Sequence, residues 1–400
     1  MLPFGNGRSY GDVCLNKDGV LLATRGLDRF IAFDHRTGVL ECEAGTLLND
    51  IIELALPHGW FLPVSPGTSF VTTGGAIAND VHGKNHHRVG SFCNHLLEFE
   101  LLRSDGRSID CTPRKNAEWF SATAGGLGLT GLIRRAKLQL RRVPGPWIRG
   151  DSHRFFNLRE FAALARESDV NYEYTVAWLD CAALGSNLGR GVFMRGNHSP
   201  EEQPPSKKRS LRLPFAPPFS LVNRLSLAAF NQYYFHRRAA ERTEALWDFR
   251  EFFYPLDRIS NWNCIYGPKG FLQYQCVVPE ADAVESLEQM LKLIARSGLG
   301  SFLAVLKIFG GIRSLGMMSF PRAGATLALD FQNRDQSTLS LLESLDAITR
   351  AAGGAVYPAK DARMSATSFR QYFPMWEQFQ QFVDPRFSSS FWRRVTAAGI

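Results

Sequence analysis

The stretch GVLECEAGTLLNDIIELALPHG (38–59) holds a strand pattern followed directly by a helix pattern, and it decides the fold class. GVLECEAG (38–45) predicts a strand closed by a turn. LLNDIIELALPHG (47–59) places apolar residues at helical spacing and ends in a Pro-His-Gly stop. Working outward, similar patterns predict two more strands and a second helix, at VLLAT (20–24), HLLEFELLRSDG (95–106) and EWFSATAGG (118–126). Strands and helices mix without a strict βαβ rhythm, which favours an α+β fold over a doubly wound sheet.

The composition changes at Val143-Pro144-Gly145-Pro146, where the turn-forming residues predict a domain boundary. The patterns beyond this point predict helices at 158–167, 283–298 and 337–354, and strands near 171–180, 190–195, 271–279, 301–310 and 326–332. Their order favours an antiparallel sheet backed by helices. A chain of 400 residues is long enough for about two domains.

The composition excludes several classes of protein. Apolar residues make up 45% and charged residues 21% of the chain, which are ordinary globular values and exclude a disordered chain. The net charge of +8 suits an anionic ligand or a membrane surface but is weak ground for nucleic-acid binding. Seven cysteines without a CxxC motif argue against a zinc ribbon or a secreted disulfide framework, and they predict reduced thiols in a cytoplasmic setting. We see no signal peptide and no apolar run long enough to span a bilayer.

Two glycine-rich strings near the N-terminus are candidate ligand loops. GNGRSYGD (5–12) places three glycines within seven residues, which frees backbone amides to turn towards an anion. It is neither a P-loop nor a GxGxxG motif, and a simple turn is the alternative interpretation. SPGTSFVTTGGAIANDVHGKNHH (65–87) contains two turns of small residues, followed by a polar turn with Lys84 and three histidines. We expect no metal there, because no set of carboxylates or cysteines accompanies the histidines.

Two later strings are less specific on their own. AGGLGLTGLI (124–133) is a glycine-rich turn from a helix to a strand, and a purely structural role is an equal alternative. YPAKDAR (357–363) places Lys360 after an apolar strand. This lysine is either a surface residue paired with Asp361 or a buried ammonium beside a reacting anion or hydroxyl.

Taken together, these strings resemble the FAD-linked oxidoreductases of the vanillyl-alcohol-oxidase type, which carry a PCMH-type FAD-binding domain. Within that group the pattern is most similar to the decaprenylphosphoryl-ribose 2′-oxidases, and the resemblance runs from Gly5 to about Arg394. It implies FAD held non-covalently. The cofactor-binding positions that it implies are Gly5, Asn6, Gly7, Arg8, Ser9, Tyr10, Gly67, Thr72, Thr73, Gly74, Gly75, Ala78, His82, Gly83, Ile133 and Tyr357.

The resemblance also implies an activity, which is oxidation of the ribose 2′-hydroxyl of a polyprenyl-phosphoryl ribose to the 2′-keto sugar, the first half of a 2′-epimerisation. Lys360 would lie beside the reacting hydroxyl with Tyr10 assisting. The residues implied in substrate binding are Lys84, Gln273, Gln275, Asn263, Trp178 and Lys307. Residues 1–146 with 355–400 would form the FAD-binding domain and 147–354 the substrate-binding domain, with a mobile basic and aromatic segment at about 197–238.

The implied partners are an NAD(P)H-dependent keto-reductase and the inner face of a membrane, with the protein otherwise cytoplasmic. The sequence departs from the family pattern at Leu127, Cys264 and Ala328, and only four residues precede Gly5 where the family has several tens. Two alternatives therefore stay open. One is a soluble alditol or aldonolactone oxidase, and the other is a truncated, non-catalytic protein with the flavin fold.

Overall fold

The computed structural model describes residues 1–201, 211–212, 217–237 and 242–397. The chain divides into two compact units. Unit 1 comprises Met1–Gly145, Gly311–Arg322 and Asp361–Ile400, and unit 2 comprises Pro146–Gly310 and Ala323–Lys360. The first break lies beside the predicted boundary. The predicted division differs from the observed one in assigning 311–322 to the second domain and 355–360 to the first.

The strands and helices of the described residues are numbered in chain order. The strands are β1 (Leu2–Phe4), β2 (Leu21–Ala23), β3 (Phe30–Asp34), β4 (Val39–Glu43), β5 (Trp60–Phe61), β6 (Leu96–Leu102), β7 (Ser108–Cys111), β8 (Leu132–Gln139), β9 (Arg141–Arg142), β10 (Trp147–Phe155), β11 (Tyr174–Leu179), β12 (Gly191–Ser199), β13 (Leu211–Arg212), β14 (Arg242–Asp248), β15 (Ile259–Ser260), β16 (Phe271–Val278), β17 (Val305–Phe309), β18 (Gly324–Gln332) and β19 (Ala355–Val356). The helices are α1 (Leu48–Ala55), α2 (Thr73–Ala78), α3 (His86–Val89), α4 (Ala117–Thr123), α5 (Leu158–Ser168), α6 (Arg224–His236), α7 (Phe249–Phe253), α8 (Ala283–Ser297), α9 (Gln336–Ala351), α10 (Ala366–Tyr372), α11 (Trp376–Gln380) and α12 (Ser390–Thr396). The predicted α+β class is confirmed.

Unit 1 is built on a five-stranded antiparallel sheet in the order β3-β4-β8-β6-β7. Helix α1 follows strand β4 in the chain and buries Leu48, Ile51, Ile52 and Ala55. This spacing of three and four residues is what places one apolar stripe on the core. A separate parallel pair of strands, β1 and β2, precedes the sheet in the chain, and the GNGRSYGD loop follows β1 directly.

Unit 2 is built on an eight-stranded sheet in the order β14-β10-β12-β11-β17-β18-β16-β19. Helices α8 and α9 cover one face. There the Cys276 sulfur lies 3.9 Å from the Met290 sulfur, and the hydroxyls of Tyr274 and Thr349 are 2.9 Å apart. Because side chains alternate along a strand, Gln273 and Gln275 of β16 point to the opposite face. The predicted antiparallel sheet backed by helices is confirmed, and its uncovered face carries the polar residues of interest.

The basic and aromatic segment predicted at about 197–238 is described only in part. Residues 202–210, 213–216 and 238 lie outside the described residues. The described parts form the end of β12, the short strand β13 and helix α6. Within the described ranges, no helix is both long enough and apolar enough to cross a membrane.

Candidate active site

The GNGRSYGD loop connects β1 to a 3₁₀ turn at Asp12–Cys14. Gly7 has a φ of +58°, a left-handed conformation that favours glycine. The loop packs against the second glycine string, because the Asn6 side-chain amide donates to the Phe70 carbonyl at 2.8 Å and the Arg8 guanidinium lies 5.5 Å from the Phe70 ring centre. A Cβ atom on Gly5 would lie 2.4 Å from the Thr72 hydroxyl. The two strings that the sequence singled out therefore meet in the structure.

The loop keeps a row of backbone donors available. Across the part of the chain that the structure describes, the amide N–H groups of Asn6, Gly7, Arg8 and Ser9 donate no hydrogen bond. These residues are half-buried or exposed rather than sealed in the core. Successive unpaired amides form a concave anion site, which fits the pyrophosphate of a dinucleotide.

The backbone amides of the second string are used within unit 1. The backbone N–H of Thr73 donates to the Thr46 carbonyl, that of Gly74 to the Ala44 carbonyl, and that of Gly75 to the Thr72 hydroxyl, at 2.8, 2.7 and 3.1 Å. These bonds tie the start of α2 to the turn after β4 and cap the helix, so any cofactor contact by these residues would use other atoms. The glycines here instead allow close packing, since a Cβ on Gly74 would lie 3.0 Å from the Ala44 Cβ.

The remaining predicted cofactor positions of unit 1 lie in or beside these loops. A Cβ atom on Gly83 would lie 3.0 Å from the Ser65 carbonyl, so the polar turn packs on the Pro-Gly-Thr turn. Gly67 is exposed, and His82 is buried with its ring 6.1 Å from that of Phe320. Ala78 accepts a hydrogen bond from the Leu127 amide at 2.8 Å, which joins the third glycine string to α2. Ile133 is buried in the central strand β8.

Asp80 holds this arrangement together, and the sequence analysis missed it. It is buried with a φ of +38°. Its carboxylate accepts hydrogen bonds from the Ser91 and Ser319 hydroxyls at 2.9 and 2.6 Å and from the Cys93 amide at 3.0 Å. The contact with Ser319 also explains why residues 311–322 belong to unit 1.

The C-terminal part of the chain returns to the first loop. A Cβ atom on Gly11 would lie 1.5 Å from the Asp361 carbonyl oxygen, so only glycine fits there. Arg394 donates to Asp12 at 2.6 Å and to Asp361 at 3.0 Å. Asp361 also accepts from the Arg363 and Met364 amides. Asp361 is therefore engaged in unit 1, and the Asp361 pairing considered for Lys360 does not describe its role.

Lys360 is the last residue of unit 2 and completes a polar cluster within that unit. Its amide donates to the Tyr357 carbonyl at 3.0 Å, and the Tyr357 amide donates to the Gln275 carbonyl at 2.9 Å. Strand register pairs Gln273 with Asp330, and Lys307 with Thr326. The Gln273 side-chain amide donates to the Asp330 carboxylate at 2.5 Å. The register and the alternation of side chains place Gln273, Asp330, Lys307 and Thr326 on the sheet face that α8 and α9 leave uncovered.

Burial governs the ionisation of this cluster. It lowers the pKa of Lys307 from 10.5 to about 7, with a further contribution from the positive charge of Lys360. Burial also lowers the pKa of Lys360, against the opposing effect of Asp330. The pKa of Asp330 is raised by burial, although the Gln273 hydrogen bond and Lys360 act against the rise. A neutral amine is therefore accessible near physiological pH, which a general base requires.

The side chains of the two glutamines of β16 differ in their hydrogen bonds. Gln275 is buried and its side-chain amide donates to the Thr326 hydroxyl at 3.1 Å. The side-chain oxygen of Gln273 is buried and accepts no hydrogen bond from any described residue. A buried acceptor without a partner is rare in a native protein, so it suggests a site that a ligand donor completes.

Two other predicted substrate residues belong to unit 2. Trp178 packs with Val192 and Phe235, and its indole N–H donates to the Phe302 carbonyl at 2.9 Å. Strand register pairs Trp178 with Val305, so it shares the sheet face of Lys307, and three strand spacings, about 14 Å, separate it from Gln275. Asn263 is exposed in the 3₁₀ turn Trp262–Tyr266.

The other predicted residues are divided between the units. Tyr10 and Lys84 are half-buried in unit 1, and Tyr357 is buried in unit 2. Asp330 was not predicted, and the only signal for it was a carboxylate within the apolar run TLALDFQ (326–332). Among the residues that can be described, no three His, Cys, Asp or Glu side chains are grouped to hold a metal ion.

The donor-bearing loop of unit 1 can hold a dinucleotide pyrophosphate, and the likeness to known proteins identifies the class as a flavin-dependent oxidoreductase. Residues 1–112 match the family model described as FAD binding domain. The chain is 36% identical to decaprenylphosphoryl-beta-D-ribose oxidase of Mycolicibacterium smegmatis, over 98% of this chain and 88% of that protein. It is 34% identical to an uncharacterized protein in the mprA 5′ region of Streptomyces coelicolor, over 87% of this chain and 99% of that protein.

A third relative matches over a smaller part. Cytokinin dehydrogenase 8 of Oryza sativa subsp. indica is 26% identical over 42% of this chain and 34% of its own length. The chain belongs to the family of PCMH-type FAD oxidoreductases that includes decaprenylphosphoryl-beta-D-ribose oxidase. The predicted resemblance, the FAD cofactor and the oxidoreductase class are thereby confirmed.

Proposed function

We propose that the protein oxidises the 2′-hydroxyl of a polyprenyl-phosphoryl ribose to the 2′-keto sugar. The observation that carries the proposal is the cluster in unit 2 of the buried Asp330 with the half-buried Lys307 and Lys360, in a chain whose likeness to a ribose oxidase covers 98% of its length. The cytokinin dehydrogenase, in contrast, matches over less than half of this chain. The likeness to the ribose oxidase therefore includes the unit that would select the substrate.

The chain offers a cradle for FAD in unit 1. The amides of Asn6 to Ser9 would hold the pyrophosphate, and the close packing at Gly5 and Gly74 would keep the loops in place. The other positions assigned to the cofactor are Tyr10, Gly67, Thr72, Thr73, Gly75, Ala78, His82, Gly83, Ile133 and Tyr357. Bound FAD supplies the acceptor for the hydride that leaves the ribose C2′ carbon.

Lys360 would accept the proton of the 2′-hydroxyl as the C2′–O bond becomes a carbonyl. The lowered pKa of its ammonium makes the neutral amine available, and the protonated form would then stabilise remaining negative charge on the oxygen. Tyr10 would assist. Lys84, Gln273, Gln275 and Lys307 would orient the ribose and its phosphate, with Asn263 and Trp178 in supporting positions.

A keto sugar is the first half of an epimerisation, because a reduction from the other side gives the inverted alcohol. The proposal therefore includes a separate NAD(P)H-dependent keto-reductase as partner. It also places the protein peripherally at the inner face of the membrane that carries its polyprenyl substrate.

The test begins with the absorbance spectrum of the purified protein, where flavin bands released by acid establish non-covalent FAD. The flavin is then titrated without oxygen with farnesyl-phosphoryl ribose, its 2′-deoxy analogue, and a soluble alditol and aldonolactone. We expect reduction by the first compound alone. Equal reduction by the soluble sugars would replace this proposal with the alditol or aldonolactone oxidase. A colourless protein that cannot take up FAD would indicate the non-catalytic alternative.

The role of Lys360 is tested separately. Lys360→Ala should retain FAD and lose reduction by the lipid-linked ribose. Lys292→Ala, which removes an exposed lysine of α8 paired with Glu288, is the matched control and should reduce at the wild-type rate. Wild-type reduction rates in Lys360→Ala would remove this residue from the mechanism.

A further inference from the structure

Helix α6 exposes an uncharged side to solvent. Its inward side chains include Leu227, Asn231 and Phe235. The exposed residues after its first position are Leu225, Ala228, Ala229, Gln232, Tyr233 and His236. They recur every three or four residues and so share one face of the helix. None of them is a Lys, Arg, Asp or Glu, and Leu225 and Tyr233 are 83% and 67% exposed. A solvent-facing helix normally carries charges there.

Buried polar contacts fix this orientation. The Asn231 side-chain amide donates to Asp180 at 2.6 Å, and Arg190 donates both to Asp180 and to the Gln232 side-chain oxygen at 2.7 Å. The Tyr234 ring packs on Trp178 with centres 4.6 Å apart. Rotating α6 to bury Leu225 would break the buried hydrogen bonds, which is costly. These buried contacts therefore keep the apolar face of α6 directed towards solvent.

The apolar surface continues into the segment before α6. Leu221 lies four residues before Leu225, and its carbonyl accepts a hydrogen bond from the Ser226 hydroxyl at 2.7 Å. Phe219, two residues earlier, is 65% exposed. We call the set Phe219, Leu221, Leu225 and Tyr233 the α6 surface.

The charge of the surrounding sequence selects the partner. Between residues 203 and 240 the sequence contains seven Lys or Arg residues and no Asp or Glu. The whole chain carries a net charge of +8, so nearly all of its excess lies in this stretch. Among these residues, Arg224 and Arg237 stand at the two ends of α6 and are exposed. An apolar strip with Arg224 and Arg237 at its ends complements an anionic membrane surface, where the strip enters the acyl boundary and the cations meet the headgroups.

We infer that the α6 surface docks on an anionic lipid bilayer. The reason for such docking rests on the proposed function, because an enzyme that acts on a polyprenyl-linked sugar has to reach its substrate at a bilayer. The contact itself requires only the four apolar side chains with Arg224 and Arg237 at the ends of α6.

The test measures co-sedimentation of the full-length FAD-loaded protein with two kinds of vesicle, phosphatidylcholine alone and phosphatidylcholine mixed with phosphatidylglycerol. We expect binding to the mixed vesicles that weakens as salt is raised. Leu225→Ser/Tyr233→Ser should lower the partition coefficient on the order of a hundredfold, because both side chains leave water on docking. Val170→Ser is the matched control, since Val170 is 77% exposed outside the α6 surface, and it should bind as the wild type does.

Absence of binding to mixed vesicles, or equal binding by the double variant, would overturn the inference. A wild-type protein that ignores vesicles but forms dimers that the double variant loses would show a protein interface instead. Flavin reduction by farnesyl-phosphoryl ribose is measured in the same samples. Vesicle binding without reduction would refute the proposed function alone, and reduction without vesicle binding would refute this inference alone.

Discussion

Replacing Lys307 by methionine should make the protein more stable near neutral pH. Methionine matches the length of the lysine stem and removes its charge. The folded state lowers the pKa of this ammonium from 10.5 to about 7, first because burial disfavours the charge and second because Lys360 lies nearby. Each pKa unit corresponds to about 1.4 kcal/mol of differential stability, so the charge costs the folded state up to about 4 kcal/mol at pH 7.

The sign of the effect depends on pH in a defined way. A lysine whose folded pKa is depressed destabilises the fold fully below its folded pKa. The penalty shrinks as the pH rises above the folded pKa and disappears above the unfolded value of 10.5, where both states are neutral. The advantage of Lys307→Met over the wild type should therefore be largest below pH ~7 and vanish above pH 10.5.

The assay is urea unfolding of wild type and variant across this pH range, with the difference in unfolding free energy plotted against pH. Lys292→Met is the control, because Lys292 is 47% exposed and its ion pair with Glu288 is 3.7 Å long. Its effect should stay within about 0.5 kcal/mol at every pH. A Lys307→Met variant that is less stable than the wild type at neutral pH, or a difference that does not change with pH, would refute the burial argument.

Two further changes test the cluster and the loop. Asp330→Asn keeps an acceptor for the Gln273 amide but removes the negative charge that opposes deprotonation of Lys360. In a plot of the rate of flavin reduction against pH, the acid limb should therefore move about one pH unit lower. An acid limb that does not move would show that Asp330 has no effect on the ionisation of Lys360. Gly5→Val places a side chain 2.4 Å from the Thr72 hydroxyl and should lower FAD occupancy at least about tenfold by absorbance, whereas Gly26→Val, where a Cβ meets no atom within 4 Å, should stay fully yellow. Equal flavin content in the two glycine variants would contradict the placement of the loop.

The helices of the fold were predictable where apolar residues follow a helical period. The predicted helix at 283–298 is α8 (Ala283–Ser297), whose apolar stripe faces the sheet. The central strand β8 was missed because its sequence LIRRAKLQ carries charges inside a strand. In the structure Arg135 bonds Glu100 at 2.9 Å and Lys137 lies 3.4 Å from Glu98. These cross-strand ion pairs become visible only once the pairing of strands is known.

The same limit applies to the site. The glycine loop was predictable because contiguous residues carry its conformation. The partnership of Asp330 with Gln273 joins residues 57 positions apart, and only the β16–β18 register brings them together. Trp178, predicted to bind substrate, packs beneath α6. Only the pairing of β11 with β17 shows that it shares the sheet face of Lys307, because the local sequence of a strand does not tell which strand lies beside it.

The direction of the pKa shifts distinguishes a structural role from a functional one in two charged clusters of unit 2. In the first, Arg195 donates to Asp151 at 2.9 Å. Although burial opposes both charges, the pKa of Asp151 is lowered and that of Arg195 is raised, so the fold favours the ionised pair. In the second, the pKa values of Lys307 and Lys360 are lowered and that of Asp330 is raised, so the fold favours neutral forms. Ionisable groups whose burial lowers the stability of the fold are expected at sites where those groups take part in a reaction. The chemistry should therefore be sought at Lys360, and the Asp151–Arg195 pair should contribute to stability alone.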